Sequence, residues 1–140
     1  MPKRLLITTK FTFKKEEKLK SRKLIEQLFA SGKSFSVSPF RITYILSAKE
    51  AYILQSGFGT SAKKFKRAVE RNRIKRLMRE AYRLQKKSLN DTLQNRDRSM
   101  AAFFIYTGNT IDTYDVIYKA MQACLKKLEK IVNEITDADS

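Results

Sequence analysis

The amino-acid sequence predicts an α+β fold, an α/β sandwich in which helices cover a mixed four-stranded sheet. Three observations carry that expectation. Apolar residues recur at helical spacing in three separate stretches, they alternate with period two in others, and one uninterrupted apolar run of strand length lies late in the chain. The order so read is helix, three strands, helix, strand, helix. The chain has 140 residues and 42% apolar content, enough for one core of ordinary size, so a single domain over 1–140 is expected, with an ordered core at about 19–132.

The basic stretch through Lys18 reads as a flexible start, and Glu16-Glu17 within it as solvated charge. From Leu19 to Ala30, the residues Leu24, Ile25, Leu28 and Phe29 fall at helical spacing, and Ser31-Gly32 supplies a stop. Phe35 and Val37 make a minimal strand before Pro39. Phe40, Ile42, Tyr44 and Leu46 then alternate with Arg41, Thr43, Ile45 and Ser47, as a half-buried strand requires. A turn near Ala48 to Glu50 leads to Tyr52, Leu54, Ser56 and Phe58, so these two strands are expected to pair as an antiparallel hairpin closed by Gly57 and Gly59. A helix follows, from between Ala62 and Arg67 to about Lys87, and Ser88 to Ser99 reads as a loop. Met100 to Tyr106 is apolar throughout, so this strand is expected to be covered on both faces. A last helix from about Asp112 carries Val116, Ile117, Ala120, Met121, Cys124, Leu125, Leu128, Ile131, Val132 and Ile135 on its inner side, and the acidic end with Asp137 and Asp139 is expected to fray.

Charge is where the sequence turns toward function. Between Lys63 and Lys87 twelve basic residues face two acidic ones, in a chain whose formal net charge is +16. On a helix, Ile74, Leu77, Met78 and Ala81 share one arc, and Asn72, Arg76, Arg79 and Arg83 form a row on the opposite side. Guanidinium forks suit bidentate contact with phosphate oxygens. A solvated helix face is the competing reading, but such faces interleave both signs, and this row holds no carboxylate. Asn72 is open to two readings, contact with a sugar, phosphate or base edge, or a local hydrogen bond within the helix.

Other classes are disfavoured. No apolar run approaches the roughly 20 residues that span a bilayer, and the basic helix lacks the aromatic face of a lipid-inserting one. The apolar stretch Leu5 to Ile7 is too short for a secretory signal, so a cytoplasmic protein is expected. The single Cys124 falls in a helical apolar pattern and reads as a buried structural thiol. Histidine is absent, which removes the commonest general base and the commonest neutral metal ligand. Neither catalytic side chains nor a metal site are expected.

The run Lys63-Lys64, then Ala68-Val69-Glu70-Arg71-Asn72-Arg73-Ile74-Lys75-Arg76-Leu77-Met78-Arg79-Glu80-Ala81, closely resembles the signature helix of the protein subunit of bacterial ribonuclease P. Leu28-Phe29 with Gly32 resembles that family's first helix and its terminating glycine. The resemblance implies a left-handed βαβ crossover, against the usual right-handed rule. It implies that catalysis belongs to an RNA subunit, which hydrolyses precursor tRNA to free the mature 5′ end, with Mg2+ held mainly by RNA and phosphate and no protein partner required. By the same resemblance Arg71, Asn72, Arg73, Lys75, Arg76 and Arg79 face the catalytic RNA, and Lys63, Lys64, Arg67 and Arg83 extend that surface. Ile25, Phe29 and Tyr44 match the cleft for the single-stranded 5′ leader, where rings stack on bases and cations hold phosphates. For Ile25, core packing is an equal reading.

Two departures stand out. Lys66-Arg67 replaces the family's usual Gly-Asn, and Ile25 stands where an aromatic is common, so stacking there is expected to be weaker or supplied by Phe13 or Phe35. Two other functions fit a basic helix. A ribosomal-type RNA-binding structural protein would co-purify with ribosomal subunits. A DNA-binding module would prefer duplex DNA, although no helix-turn-helix pair precedes the basic helix.

Overall fold

The computed structural model describes residue 13 and residues 15–134. After a 3-10 turn at Lys15–Glu17, the elements run α1 (Arg22–Ser31), β1 (Lys33–Val37), β2 (Phe40–Ala48), β3 (Leu54–Thr60), α2 (Ala68–Gln85), α3 (Lys87–Asn95), β4 (Arg98–Tyr106) and α4 (Tyr114–Asn133). The four strands form one mixed sheet in the order β1-β2-β4-β3. β1 pairs antiparallel with β2 and β2 with β4, whereas β3 runs parallel to β4. The predicted class and element order hold, with α3 added.

The expected hairpin between the second and third strands does not form. β4 lies between them, and the physical reason is its composition. Ser99, Met100, Ala101, Ala102, Phe104 and Tyr106 are all buried, and a strand apolar on both faces belongs in the centre of a sheet. The polar-rich β1 and β3 take the edges. The link from β2 to β3 is fastened to β4 by Ser99, whose Oγ donates to the Tyr52 carbonyl at 2.5 Å and accepts from the Glu50 N–H at 2.8 Å. The parallel pair β3 and β4 is joined by a crossover through α2 and α3.

The two sheet faces are covered unequally. Phe40, Ile42, Met100, Phe104 and Tyr106 point into the main core under α2, α3 and α4. On the other face Leu19, Leu28 and Ala101 make a small second core, with Leu24, Ile25, Ile45 and Phe103 packed against it. Among the described helices, α1 alone packs on this face.

Local signals explain most element ends. Ser21 caps α1, its Oγ accepting from the Leu24 N–H at 3.2 Å, and Thr113 caps α4 in the same way. The first helix therefore starts later than Leu19, whose N–H instead donates to the Ser56 carbonyl at 3.0 Å. α1 ends at Gly32, whose N–H donates to the Leu28 carbonyl, and only glycine fits there because a Cβ would lie 2.3 Å from that oxygen. The stretch expected as a loop from Ser88 is largely α3. Leu89 and Leu93, four residues apart, are its buried face, and Ser88 and Thr92 both donate to the Glu129 carboxylate of α4. Val116, expected inside, is 43% exposed. Ile135, Asp137 and Asp139 lie outside the described residues.

The start of the chain is not loose from Lys15 on. Lys18 bridges to Ser56, Gln55 Nε2 donates to the Glu16 carbonyl at 3.1 Å, and Glu17 is ion-paired with the buried Lys86. Glu17 is thus a structural partner rather than solvated charge. Phe13 packs edge-on against Tyr82 and Phe58, with the Lys86 ammonium 5.6 Å from its ring centre.

Burial makes the fold sensitive to alkali. It pushes the Cys124 thiol and the Tyr106 phenol each up to about 12, from ordinary values of 9.0 and 10.0, and raises Tyr82 further still. The folded chain keeps protons that the unfolded chain releases from about pH 9, so stability is intact below that pH and falls as pH rises through the window to 12. Each group contributes up to about 1.4 kcal/mol per pH unit within its own window. The midpoint of thermal unfolding is expected to be flat from pH 7 to 8.5 and to drop steeply above 10. A midpoint unchanged at pH 11 would contradict this burial.

Candidate nucleic-acid interface

α2 forms because Ile74, Met78, Ala81 and Tyr82 bury one stripe on the sheet while its outer side stays charged. Asn72, Arg73, Arg76 and Arg79 are exposed on that outer side, and Lys75 is half-buried beside them. The Asn72 amide has no partner among the described residues, so the helix does not use it for a local bond. Lys63 and Arg67 are exposed just before the helix, whereas Lys64 Nζ donates to the Thr107 carbonyl at 2.8 Å.

Besides Lys64, two more of the expected RNA contacts are engaged within the protein. Arg71 Nη1 donates to the carbonyls of Phe65 and Lys66, both at 2.7 Å, and so fastens the segment that leads into α2. That segment is also anchored by the buried Phe65 ring against Tyr106. With Lys66-Arg67 in place of Gly-Asn, the helix begins with Arg67 as an N-cap that makes no side-chain capping bond. Arg83 donates from Nε and Nη2 to the two oxygens of Glu80, at 3.2 and 2.6 Å. Glu80 is held below the usual carboxylate range by that hydrogen bond, and Arg83 is raised by the same bond. The arginine row therefore has a carboxylate at its edge.

Beside the row lies a groove of about 620 Å³, with Arg76, Arg79 and Arg83 on one wall and Lys18 and Lys20 on the other. Its floor is Gly57 of the edge strand β3 and the ring of Phe103. A Cβ at Gly57 would lie 2.8 Å from the Phe103 ring, and one at Gly59 would lie 3.0 Å from it. The two glycines thus let the ring lie down over β3. Phe103 meets Phe29 edge-to-face, with ring centres 5.4 Å apart, and Phe29 is 51% exposed. Two rings, one of them open to solvent, adjoin five cations.

The structure brings Phe29 and Ile25 to this face and leaves Tyr44 off it. Ile25 is half-buried in the small core, as its packing reading has it. Tyr44 points to the opposite face, where it is 8% exposed and packs against Phe35 with ring centres 6.0 Å apart. Even-numbered residues of β2 face the main core, and Tyr44 shares that parity with Phe40 and Ile42. Sequence reasoning missed Phe103. The pairing of its bulk with Gly57 and Gly59 is visible only once β3 and β4 are neighbours. Of the proposed substitutes for an aromatic at Ile25, Phe13 lines the groove and Phe35 lies at the other sheet edge.

A family model described as Ribonuclease P matches residues 13–131. The ribonuclease P protein component of Porphyromonas gingivalis is 40% identical over 119 residues, covering 84% of this chain and 87% of that protein. The chain belongs to the ribonuclease P protein family. The Dictyoglomus thermophilum ribonuclease P protein component is 39% identical over 85 residues, 60% of this chain and 68% of that one. Among solved structures, the RNase P protein of Staphylococcus aureus superposes with a TM-score of 0.62, covering 79% of this chain and 94% of that chain at 19% identity. The fold is therefore that of the ribonuclease P protein. Among the described residues no helix is long and apolar enough to cross a membrane, and no group of three His, Cys, Asp or Glu could hold a metal. The groove's one carboxylate, Glu80, is already taken by Arg83, so its donor set suits phosphate and not magnesium.

Proposed function

We propose that this chain acts as the protein component of ribonuclease P, the accessory subunit of the endoribonuclease that matures the 5′ end of tRNA, in the cytoplasm. The observation that carries this reading is the exposed row Asn72, Arg73, Arg76 and Arg79, two of whose arginines wall an aromatic groove over the edge strand β3. The row holds the phosphates of the catalytic RNA subunit by forked, charge-assisted hydrogen bonds. Phe29 and Phe103 stack on unpaired bases of the precursor's 5′ leader, and Lys18 and Lys20 hold its phosphates. Protein side chains contribute positioning and charge neutralisation; Mg2+ is held by RNA and phosphate. No second protein is required.

The test is reconstitution with the organism's catalytic RNA. The protein alone is expected to cleave nothing. Added to the RNA, it is expected to lower the magnesium concentration for half-maximal cleavage and to tighten precursor tRNA over mature tRNA. Equal affinity for both tRNA forms in the reconstituted enzyme would refute the leader groove, and no effect on cleavage at any magnesium concentration would refute the function.

A further inference from the structure

The C-terminal half of α4 carries a second basic surface. Lys126, Lys127 and Lys130 are exposed within little more than one turn, and none has a carboxylate partner among the described residues. Lys126 and Lys130 stand four apart, a like-charge spacing that works against the helix. The carboxylate within that turn does not relieve them. Glu129 is drawn to the other side by hydrogen bonds from Ser88 and Thr92, at 2.7 and 3.2 Å. Lys127 Nζ sits 4.6 Å from the centre of the Phe35 ring on the edge strand β1, and exposed Lys33 begins that strand.

We infer that Lys126, Lys127 and Lys130 form a second contact to the phosphate backbone of the catalytic RNA, an inference that rests on the proposed function. Charge selects a polyanion. The face favours phosphate backbone over unpaired bases, because its one neighbouring ring is half-buried and covered by Lys127, and ammonium groups act as point charges rather than forks. The fold favours the catalytic RNA over the leader. α2 and α4 pack side by side over the same sheet face, whereas Phe29 and Phe103 lie on the other. An RNA large enough to cover the arginine row can continue onto α4, and the two contacts then fix its orientation about the protein.

The experiment measures binding of the full chain to the full-length catalytic RNA over a range of monovalent salt. For Lys126→Gln/Lys127→Gln/Lys130→Gln, the slope of log affinity against log salt is expected to fall by roughly two, since each phosphate contact contributes somewhat under one. The preference for precursor over mature tRNA is expected to stay unchanged. Lys126→Gln/Lys130→Gln, which keeps the Lys127 contact with Phe35, guards against a folding defect and is expected to lower the slope by about one and a half. An Arg76→Ala/Arg79→Ala protein serves as the control. If that control weakens binding and both lysine variants leave the slope intact, this inference alone fails. If the control is also without effect, the assignment of the arginine row to the catalytic RNA, on which this inference rests, fails. A loss of precursor preference with an unchanged slope would assign the lysines to the substrate and overturn the inference.

Discussion

Arg76→Ala/Arg79→Ala is expected to weaken binding of the catalytic RNA by about a hundredfold or more, with the precursor-to-mature preference of whatever holoenzyme still assembles less affected. Both guanidinium groups are exposed, and no internal hydrogen bond or ion pair holds either side chain among the described residues. A charge-assisted hydrogen bond contributes about 1.5–3 kcal/mol. Two such contacts, taken at the low end because solvent screens them, give about 3 kcal/mol, or two powers of ten. The salt dependence should become shallower by roughly two phosphates' worth. Fluorescence-detected titration of the RNA subunit reads both quantities, and a change below threefold would mean that the row faces solvent.

The same geometry ranks the neighbouring arginines. Arg83 must give up or share its bidentate contact with Glu80 before it can take a phosphate, so its loss should cost less than that of Arg76. Arg71 acts one step earlier. Its two bonds to the Phe65 and Lys66 carbonyls hold the chain as it enters α2, so Arg71→Ala should lower thermal stability as well as RNA affinity. A row that looks uniform in sequence thus divides into exposed phosphate contacts, an ion-paired member and a backbone clamp.

The row was legible in the sequence because helical periodicity places Ile74, Met78 and Ala81 opposite Arg76 and Arg79 without reference to the rest of the fold. Sheet order was not, because alternation fixes which side chains share a face and says nothing about which strand is next door. β4 carried the needed clue in its two-sided apolar run, yet a local turn at Ala48 to Glu50 argued for the wrong neighbour. α3 was missed because only Leu89 and Leu93 mark its buried face among polar residues. The site divided along the same line. Phe29 was readable from its own helix, and Tyr44 was misplaced because its parity in β2 ties it to Phe40 and Ile42. Phe103 depends on a long-range pairing with Gly57.

That pairing gives the second large effect. Phe103→Ala is expected to reduce the precursor-over-mature preference by about 10- to 100-fold, since a base stacked on an aromatic ring contributes about 1–3 kcal/mol. Affinity for the catalytic RNA alone should stay within about threefold, because the ring packs with α1 in the small core, whereas α2 packs over the main core on the other sheet face. Gly57→Ala should produce the same loss by a different route. Its new Cβ would lie 2.8 Å from two carbons of the ring and force Phe103 out of the groove floor, with a packing cost of about 1–3 kcal/mol in stability. The two substitutions act on one object, so their effects on leader preference should be far from additive, and Gly57→Ala should add little once Phe103 is already alanine. Additive losses in that double-mutant cycle would show that Gly57 serves the leader directly, and an unchanged preference in Phe103→Ala would remove the ring from the site.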